Sequence, residues 1–226
     1  MMNELLRDLI NTGKVAAFID NVIIGMETEE EHDEIVAEVI RRLEENDLYV
    51  KLEKCKWKMW EVGFLGVVIR PEEIKIEKEK MRGVLEWLTP KCVKDIQKFL
   101  GLANYYRQFI QGFASIARLL HDMVKKDKKW EWIEKQERVF EELKKRFTQE
   151  LVLAAPDLDK KMRMEVDMSD YATRGMLSME EEEKWKPVAF LSKSLNETER
   201  NYEIYDKEML AIIRGLESWR HLLEGA

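Results

Sequence analysis

Apolar positions change their spacing several times along this 226-residue chain, and each change predicts a different kind of element. Residues 1–14 carry apolar side chains at helical spacing. Two apolar runs follow at 15–19 and 22–24, and only Asp20 and Asn21 lie between them. Two short polar residues between β-branched and aromatic runs are typical of a hairpin, so the sequence predicts paired strands with Asp20 and Asn21 at the turn.

The next part of the chain predicts one helix and then several short strands. A cap at Thr28 and the apolar spacing after it predict an amphipathic helix that ends near Asn46. The period then becomes two, which predicts strands over 49–52, 55–59, 64–69 and 74–76. Trp57 and Trp60 lie in this alternating part, which favours a place in the core over a role as stacking platforms for bases.

Helical spacing then dominates from residue 77 to residue 148, where the pattern predicts four helices that form a compact module. The strand period returns after Pro156, with candidate strands at 162–168, 171–179 and 188–191. A last helix is predicted from about Thr198. The whole pattern predicts an α+β chain in which a helical module lies between two parts that contain strands.

Composition indicates a globular protein and narrows the classes of function. Hydrophobic residues make up 45% of the chain and charged residues 37%, and no apolar run approaches the roughly 20 residues of a membrane span. The first residues have no apolar segment typical of a signal peptide, so we expect an intracellular protein without a membrane partner. Cys55 and Cys92 have no metal-ligand spacing and are interpreted as reduced thiols.

The net charge of −7 opposes binding of nucleic acid by the surface as a whole. One dense cationic stretch is an exception, and its charge pattern alone favours a solvated helix surface over a local binding face. Its members are Lys125, Lys126, Lys128, Lys129, Lys135, Arg138, Lys144, Lys145 and Arg146.

Asp20 is the candidate for chemistry in the predicted hairpin. A carboxylate at the tip of a rigid hairpin can be a plain surface residue, which the hairpin alone favours. It can also be a ligand for divalent ions in nucleotidyl transfer, where two ions stabilise the attacking and leaving oxygens. The sequence around it decides between these interpretations.

A series of segments in chain order resembles the pol polyprotein of gypsy-type LTR retrotransposons, and together these segments cover nearly the whole chain. FIDNVIIG at 18–25 resembles the YxDD hairpin of the polymerase palm, and KCKW at 54–57 with FLGVVI at 64–69 resembles the primer-grip hairpin. FLGLANYYRQFI at 99–110 is similar to the signature helix of the thumb. Residues 130–147 resemble the segment that leads into RNase H. Residues 164–178, 188–195 and 201–226 resemble the first strands and the first helix of that domain.

The resemblance implies a fold in three parts. Residues 1–76 are expected to be the C-terminal part of a reverse transcriptase palm, and residues 77–128 a helical thumb. Residues 129–226 are expected to hold a tether and the N-terminal part of an RNase H-like α/β domain. An earlier palm aspartate and the fingers would precede Met1, and two further RNase H carboxylates would follow Ala226, so we expect both sites to be truncated.

Three catalytic and metal-binding carboxylates are implied by the resemblance: Asp20 for the polymerase, and Asp167 and Glu208 for RNase H. The cofactor in the family is Mg²⁺ or Mn²⁺. Asn21 stands where the family has a second aspartate, which removes a negative charge that a hard cation prefers. This loss disfavours metal binding by the chain, so we expect no primer extension and no RNase H cleavage from it alone.

Two positions near these carboxylates also bear on the RNase H site. Glu208 shares one helical face with Ile204, Ile212 and Gly215, and an acid on an apolar face is costly unless it is paired or metal-bound. The alternative is a partly exposed glutamate at the edge of that face. Arg174 stands where the family has glycine, which we expect to weaken the packing of its strand.

Contacts to an RNA–DNA hybrid or primer–template are implied for eight residues by the resemblance. They are Phe64, Leu65 and Gly66 in the primer-grip segment, Asn104, Tyr105 and Arg107 in the thumb, and Lys125 and Lys126 after it. Association with other pol domains is a further implied partnership. The expected function is therefore a fragment of a reverse transcriptase with RNase H, catalytically inactive as this chain. The alternatives are a non-catalytic remnant that binds duplex through the thumb and the basic helix, and a remnant without function.

Overall fold

The computed structural model describes residues 2–126, 128–149 and 152–224, and its mixture of helices and sheets confirms the α+β class. The chain forms two compact units, residues 1–64 and residues 65–226, which are described separately below. Among the described residues, no helix has the length and apolar character that crossing a membrane requires.

The first unit consists of short helices, one hairpin and one long helix. Its elements are α1 (Met2–Leu5), α2 (Arg7–Asn11), β1 (Val15–Phe18), β2 (Asn21–Ile24), α3 (Glu29–Glu45), a 3₁₀ turn (Leu52–Lys54) and β3 (Val62–Phe64). Its buried centre joins the first helices, the hairpin and α3 through Leu6, Leu9, Val15, Val39 and Leu43. The predicted cap of α3 is present as a hydrogen bond from the Glu31 N–H to the Thr28 hydroxyl, at 3.3 Å.

One arginine ties the second helix to α3 in this unit. Both Nη atoms of Arg42 donate to the carboxylate of Asp8, at 2.5 and 2.7 Å, and its Nε donates to Glu38 at 2.6 Å. The hydrogen bond from Arg42 lowers the pKa of Asp8 to about 2. Hydrogen bonds from Arg41 and Arg42 lower the pKa of Glu38 to about 2 as well. The pairing thus favours the charged carboxylates that hold α2 against α3.

Two predictions for residues 49–60 are wrong. No strand forms over 49–59, and the side chains of Trp57 and Trp60 are 46% and 78% exposed instead of lying in the core. The backbone takes left-handed conformations at Asp47 (φ 56°) and Lys58 (φ 47°), which interrupt an extended chain. Lys58 is held there by the carboxylate of Asp33, 2.9 Å from its Nζ.

The second unit begins with a small antiparallel sheet and four helices. β4 (Val67–Ile69) pairs with β5 (Glu73–Ile76), and β5 pairs with β6 (Leu153–Ala154). The four predicted helices are α4 (Lys78–Leu85), α5 (Val93–Tyr105), α6 (Phe113–Met123) and α7 (Glu134–Thr148). The predicted stripe at 93–110 is divided, because α5 ends at Tyr105 and a 3₁₀ turn (Arg107–Phe109) follows. The core of this part combines aliphatic and aromatic side chains, and its aromatic members include Phe99, Tyr106, Phe109, Phe113, Phe140 and Phe147.

The C-terminal part of this unit is a three-stranded antiparallel meander covered by a helix. Its strands are β7 (Met162–Met168), β8 (Ala172–Glu181) and β9 (Lys184–Ser194), and its helices are α8 (Glu197–Arg200), α9 (Ile204–Ser218) and α10 (Arg220–Leu223). Gly215 lets α9 approach β7, because a Cβ there would lie 2.6 Å from the sulfur of Met164. The α9 side of the sheet also buries Leu177 and Trp219.

Candidate functional site

The hairpin of the first unit has its turn one residue earlier than predicted. Phe18 pairs with Asn21, so the turn residues are Ile19 and Asp20, and Asn21 begins β2. Ile19 is left-handed at φ 58°, an uncommon state for a β-branched side chain, and it is 77% exposed. Strain of this kind is concentrated at functional turns, and here it presents the Asp20 carboxylate at an exposed tip.

Asn21, the residue after Asp20, donates a hydrogen bond at the position where the resemblance would place a second metal-binding aspartate. The Nδ2 of Asn21 donates a hydrogen bond to the Asp20 Oδ1 at 3.2 Å. One oxygen of the Asp20 carboxylate therefore already accepts a hydrogen bond from an amide N–H. Asn21 itself contributes no negative charge. The tip therefore presents a single carboxylate, whereas hard divalent cations bind best to several charged oxygens.

Asp167 lies on β7 and faces an arginine across the sheet. Asp167 and Arg174 are direct partners in the register of β7 and β8, and the guanidinium Nη2 lies 3.2 Å from the carboxylate Oδ2. Because side chains alternate along a strand, Asp167 lies on the opposite face of β7 from Val166. The side chain of Val166 lies beneath Gly215 of α9. The carboxylate therefore points away from the face that α9 covers.

Glu208 lies on α9 and is exposed. In the described part of the chain it makes no hydrogen bond and no ion pair, and no polar contact joins it to Asp167. Ile204 and Ile212 on the same helix are 56% and 41% exposed, so the expectation of a buried apolar face around Glu208 is wrong. The structure agrees with the alternative prediction, in which Glu208 is an exposed glutamate at the edge of the face.

These carboxylates do not fit the divalent metal on which reverse transcriptases generally depend. In the ranges 2–126, 128–149 and 152–224, no three His, Cys, Asp or Glu side chains converge as metal ligands would. The nearest polar groups are the Asn21 amide at Asp20 and the Arg174 guanidinium at Asp167, and both are donors. No catalytic step through a metal is therefore assigned to these residues.

A second group of predicted residues comes together in the unit formed by residues 65–226. Leu65 and Gly66 stand between β3 and β4, and both are left-handed, at φ 51° and φ 82°. The Tyr105 hydroxyl donates to the carbonyl of Leu65 at 2.7 Å, and the Tyr106 hydroxyl donates to that of Gly66 at 3.3 Å. We call these four residues the tyrosine latch, because two hydroxyls at the end of α5 hold two consecutive left-handed residues, of which Leu65 is strained.

The two tyrosines of the latch differ in exposure. Tyr106 is buried, and its burial, with smaller contributions from Tyr105 and Glu77, raises the pKa of its hydroxyl to about 12. That hydroxyl therefore stays a proton donor at all ordinary pH values. Tyr105 packs edge-on against Tyr106 at 4.8 Å between ring centroids, yet 54% of its surface is exposed. Tyr106 was not among the predicted site residues, although its place beside Tyr105 in the YYR sequence is a signal that could have found it.

The other predicted nucleic-acid contacts are scattered. Asn104 and Arg107 are exposed on either side of the tyrosine pair, and Arg107 has no carboxylate partner among the described residues. Phe64 is half-buried in β3, in the first unit. Lys125 pairs with Asp122 at 2.6 Å, while Lys126 is exposed.

Three members of the cationic stretch are paired with glutamates of their own helix, α7. Arg138 pairs with Glu134 at 2.5 Å and Arg146 with Glu142 at 2.7 Å. Lys144 Nζ lies 3.0 Å from Glu141 and donates to the carbonyl of Trp87 at 3.1 Å. For these members, the interpretation as a paired helix surface agrees with the structure better than a free binding face does.

Comparison with known proteins gives matches at both ends of the chain. Residues 1–69 match the family described as reverse transcriptase (RNA-dependent DNA polymerase), and residues 132–226 match the RNase H-like domain found in reverse transcriptase. The chain is 34% identical to the Transposon Tf2-7 polyprotein of Schizosaccharomyces pombe over 216 residues, which are 95% of this chain and 16% of that polyprotein. The Tf2-3 polyprotein of the same yeast is also 34% identical, over 211 residues. The chain thus spans 16% of the length of these curated relatives.

Solved structures share the fold. A foamy viral protease-reverse transcriptase in complex with RNA/DNA hybrid superposes with a TM-score of 0.79 and 23% identity, over 97% of this chain and 30% of that chain. The same type of protein in complex with dsDNA gives a TM-score of 0.78 and 22% identity, over 98% of this chain and 46% of that chain. At this level of identity the likeness establishes the fold alone.

Proposed function

Because the chain belongs to the pol polyprotein family of gypsy-type LTR retrotransposons and carries reverse transcriptase and RNase H-like segments, we propose that it holds nucleic-acid duplex without catalysing nucleotidyl transfer itself. In this proposal, residues 1–76 are the palm segment, 77–128 the thumb, and 129–226 the tether with the RNase H-like segment. The duplex is an RNA–DNA hybrid or a primer–template, and other pol domains are the partners that complete the enzyme.

The tyrosine latch is the observation that supports this proposal most strongly. It joins the turn of the primer-grip segment to the end of the thumb helix through two hydrogen bonds, at 2.7 and 3.3 Å. It also leaves Tyr105 54% exposed, and the exposed residues Asn104 and Arg107 are close to it in the sequence. Exposed aromatic rings stack on bases, and exposed cations contact phosphates, so Tyr105 and Arg107 supply both kinds of group.

Charge supports a local rather than a general interface. The chain carries a net charge of −7, so a long surface of phosphates is repelled by most of it. Arg107 and Lys126 are cations that no described carboxylate neutralises, and both belong to the unit that contains the latch. Binding through a few such contacts is expected to weaken steeply as salt is raised.

Substitution of Tyr105 tests the proposal. We expect Tyr105→Ala to weaken binding of an RNA–DNA hybrid about tenfold, because stacking on one base contributes about 1–3 kcal/mol. Tyr105→Phe keeps the ring and loses only the hydrogen bond to Leu65, so a smaller loss is expected. Fluorescence anisotropy with a labelled hybrid measures both.

Tyr205→Ala is the matched control, since Tyr205 is 80% exposed on α9 and forms no hydrogen bond or ring contact with the latch in the described part of the chain. Equal losses for Tyr105→Ala and Tyr205→Ala would contradict a specific role of the thumb tyrosine. Thermal unfolding of each variant separates loss of binding from loss of the fold.

The absence of catalysis is the second part of the proposal. We expect purified chain to incorporate no nucleotide on a primer–template and to cleave no RNA in a hybrid, with either Mg²⁺ or Mn²⁺. Asp20 carries one negative charge beside an amide, and Asp167 is paired with Arg174, so neither presents the cluster of charged oxygens that these cations require. Incorporation that Asp20→Ala abolishes would overturn this prediction.

A further inference from the structure

Two arginines meet over one tyrosine ring where α6 lies against the three-stranded sheet. The Cζ of Arg118, on α6, is 3.9 Å from the centroid of the Tyr171 ring, and the Cζ of Arg200, at the end of α8, is 5.9 Å from it. Both arginines are exposed, and the tyrosine is 45% exposed. We call these three residues the arginine–tyrosine cluster.

The arginines of this cluster differ from most others in the chain by lacking an acidic partner. Although Asp and Glu number 45 against 38 Lys and Arg, four arginines of the described ranges have no carboxylate within ion-pair distance. They are Arg7, Arg107, Arg118 and Arg200. Two of these four share the Tyr171 ring, so two guanidinium groups lie together there without a described carboxylate within 4.0 Å of either.

The fold holds the cluster in place through its backbone. The Tyr171 carbonyl accepts from the N–H of Leu195 at 2.8 Å, which fixes the start of β8 beside the end of β9. The buried hydroxyl of Ser192 accepts from the N–H of Ala114 at 2.8 Å, which fastens α6 to β9. Asn196 and Glu199 form a complete capping box on α8, the short helix that carries Arg200.

An arginine stacked on a ring keeps the N–H groups at its edge free. A guanidinium presents five donors in a planar fork that matches the oxygens of a phosphate, and stacking limits the side-chain entropy that binding costs. Two guanidinium groups on one ring are therefore better suited to bind two neighbouring anionic groups than to bind a single carboxylate. Arg174 is nearby in the sheet, but Asp167 already neutralises it.

We propose that the arginine–tyrosine cluster binds phosphates of a nucleic-acid backbone, as a second contact area separate in sequence from the tyrosine latch. The proposal rests on the proposed duplex-holding function and extends it to the junction of the thumb with the RNase H-like sheet. Tyr171 acts as the positioning residue, and the two guanidiniums contact the ligand. Since backbone phosphates carry no base identity, the cluster contributes affinity without sequence preference.

The double variant Arg118→Gln with Arg200→Gln tests this inference on the whole chain. Its control is Arg138→Gln with Arg220→Gln, which changes the net charge equally at side chains that are 75% and 74% exposed and paired with Glu134 and Glu224. Anisotropy titrations with a labelled RNA–DNA hybrid are made at several salt concentrations. We expect the first variant to bind at least about tenfold more weakly at moderate salt. The magnitude of its slope of log K against log salt is expected to decrease by about 2, whereas the control changes little.

The outcomes separate this inference from the proposed function. Equal changes of affinity in the two double variants, with binding still weakened by Tyr105→Ala, would contradict the proposed role of the cluster. They would leave the proposed role of the latch unaffected. No binding of hybrid by the unsubstituted chain would overturn both. Arg118→Lys with Arg200→Lys keeps the charge without the planar fork, so it is expected to retain the salt slope while losing affinity. Unchanged affinity in that variant would contradict the role of the fork.

Discussion

Replacing Gly66 with alanine is expected to lower the free energy of unfolding of the second unit by about 2–5 kcal/mol. Gly66 is left-handed at φ 82°, a conformation that costs a residue with a Cβ about 1–2 kcal/mol. The added Cβ would also overlap the Tyr106 hydroxyl, and such overpacking costs about 1–3 kcal/mol. Tyr106 is buried in the aromatic core and has little room to move away.

Gly101→Ala is the control for this substitution. Gly101 lies within α5, and a Cβ there would contact nothing within 4 Å, so its replacement is expected to stabilise the helix by about 0.5–1 kcal/mol. Chemical denaturation measures both variants. If Gly66→Ala were no less stable than the original chain, the latch would not be the tight contact that the structure describes.

Arg214→Met is expected to cost about 3 kcal/mol, the lower end of what removing one partner of a buried ion pair costs, because the Glu199 side chain is 16% exposed. Arg214 is 5% exposed on α9, and its guanidinium donates to Glu199 at 2.8 Å and to the buried Thr173 hydroxyl at 2.9 Å. The substitution leaves both acceptors without this donor under α9. Arg214→Met combined with Glu199→Gln is expected to be more stable than Arg214→Met alone, because no buried charge is then left unpaired.

The pair also predicts how stability depends on pH. Burial raises the pKa of Glu199, but the Asn196 N–H and the Arg214 guanidinium outweigh it, so the pKa lies below the ordinary 4.5. A carboxyl with a lowered pKa in the folded state stabilises the fold above its unfolded pKa, and that contribution is lost as pH falls through the folded value. We therefore expect the original chain to lose stability below pH 4.5 more steeply than Arg214→Met does. Parallel pH profiles from denaturant unfolding would contradict this assignment.

The sequence was sufficient for the elements with a long, regular period. The helical stripes of α3 and α7 and the strict alternation of β7 follow from spacing, since one face of each is apolar. Residues 49–60 show the limit of this reasoning. Apolar side chains alternate there as in a strand, but left-handed residues at Asp47 and Lys58 break the chain direction, and no periodicity reveals backbone conformation.

The candidate sites were partly predictable for the same reason. The resemblance named Leu65, Gly66 and Tyr105, and the structure joins them through hydrogen bonds that the sequence does not contain. The pairing of Asp167 with Arg174 depends on strand register, and the stack of Arg118 on Tyr171 depends on how α6 meets the sheet. Such contacts between elements far apart in sequence are set by tertiary packing, which a single sequence leaves open.

The salt dependence of hybrid binding by the unsubstituted chain tests the central claim most directly. A chain that holds duplex through a few phosphate contacts is expected to bind a labelled RNA–DNA hybrid at low salt, with log K falling linearly as log salt rises and a slope of about −0.9 for each contact. Binding that is absent at low salt, or independent of salt, would contradict the claim that this segment holds nucleic acid through phosphate contacts.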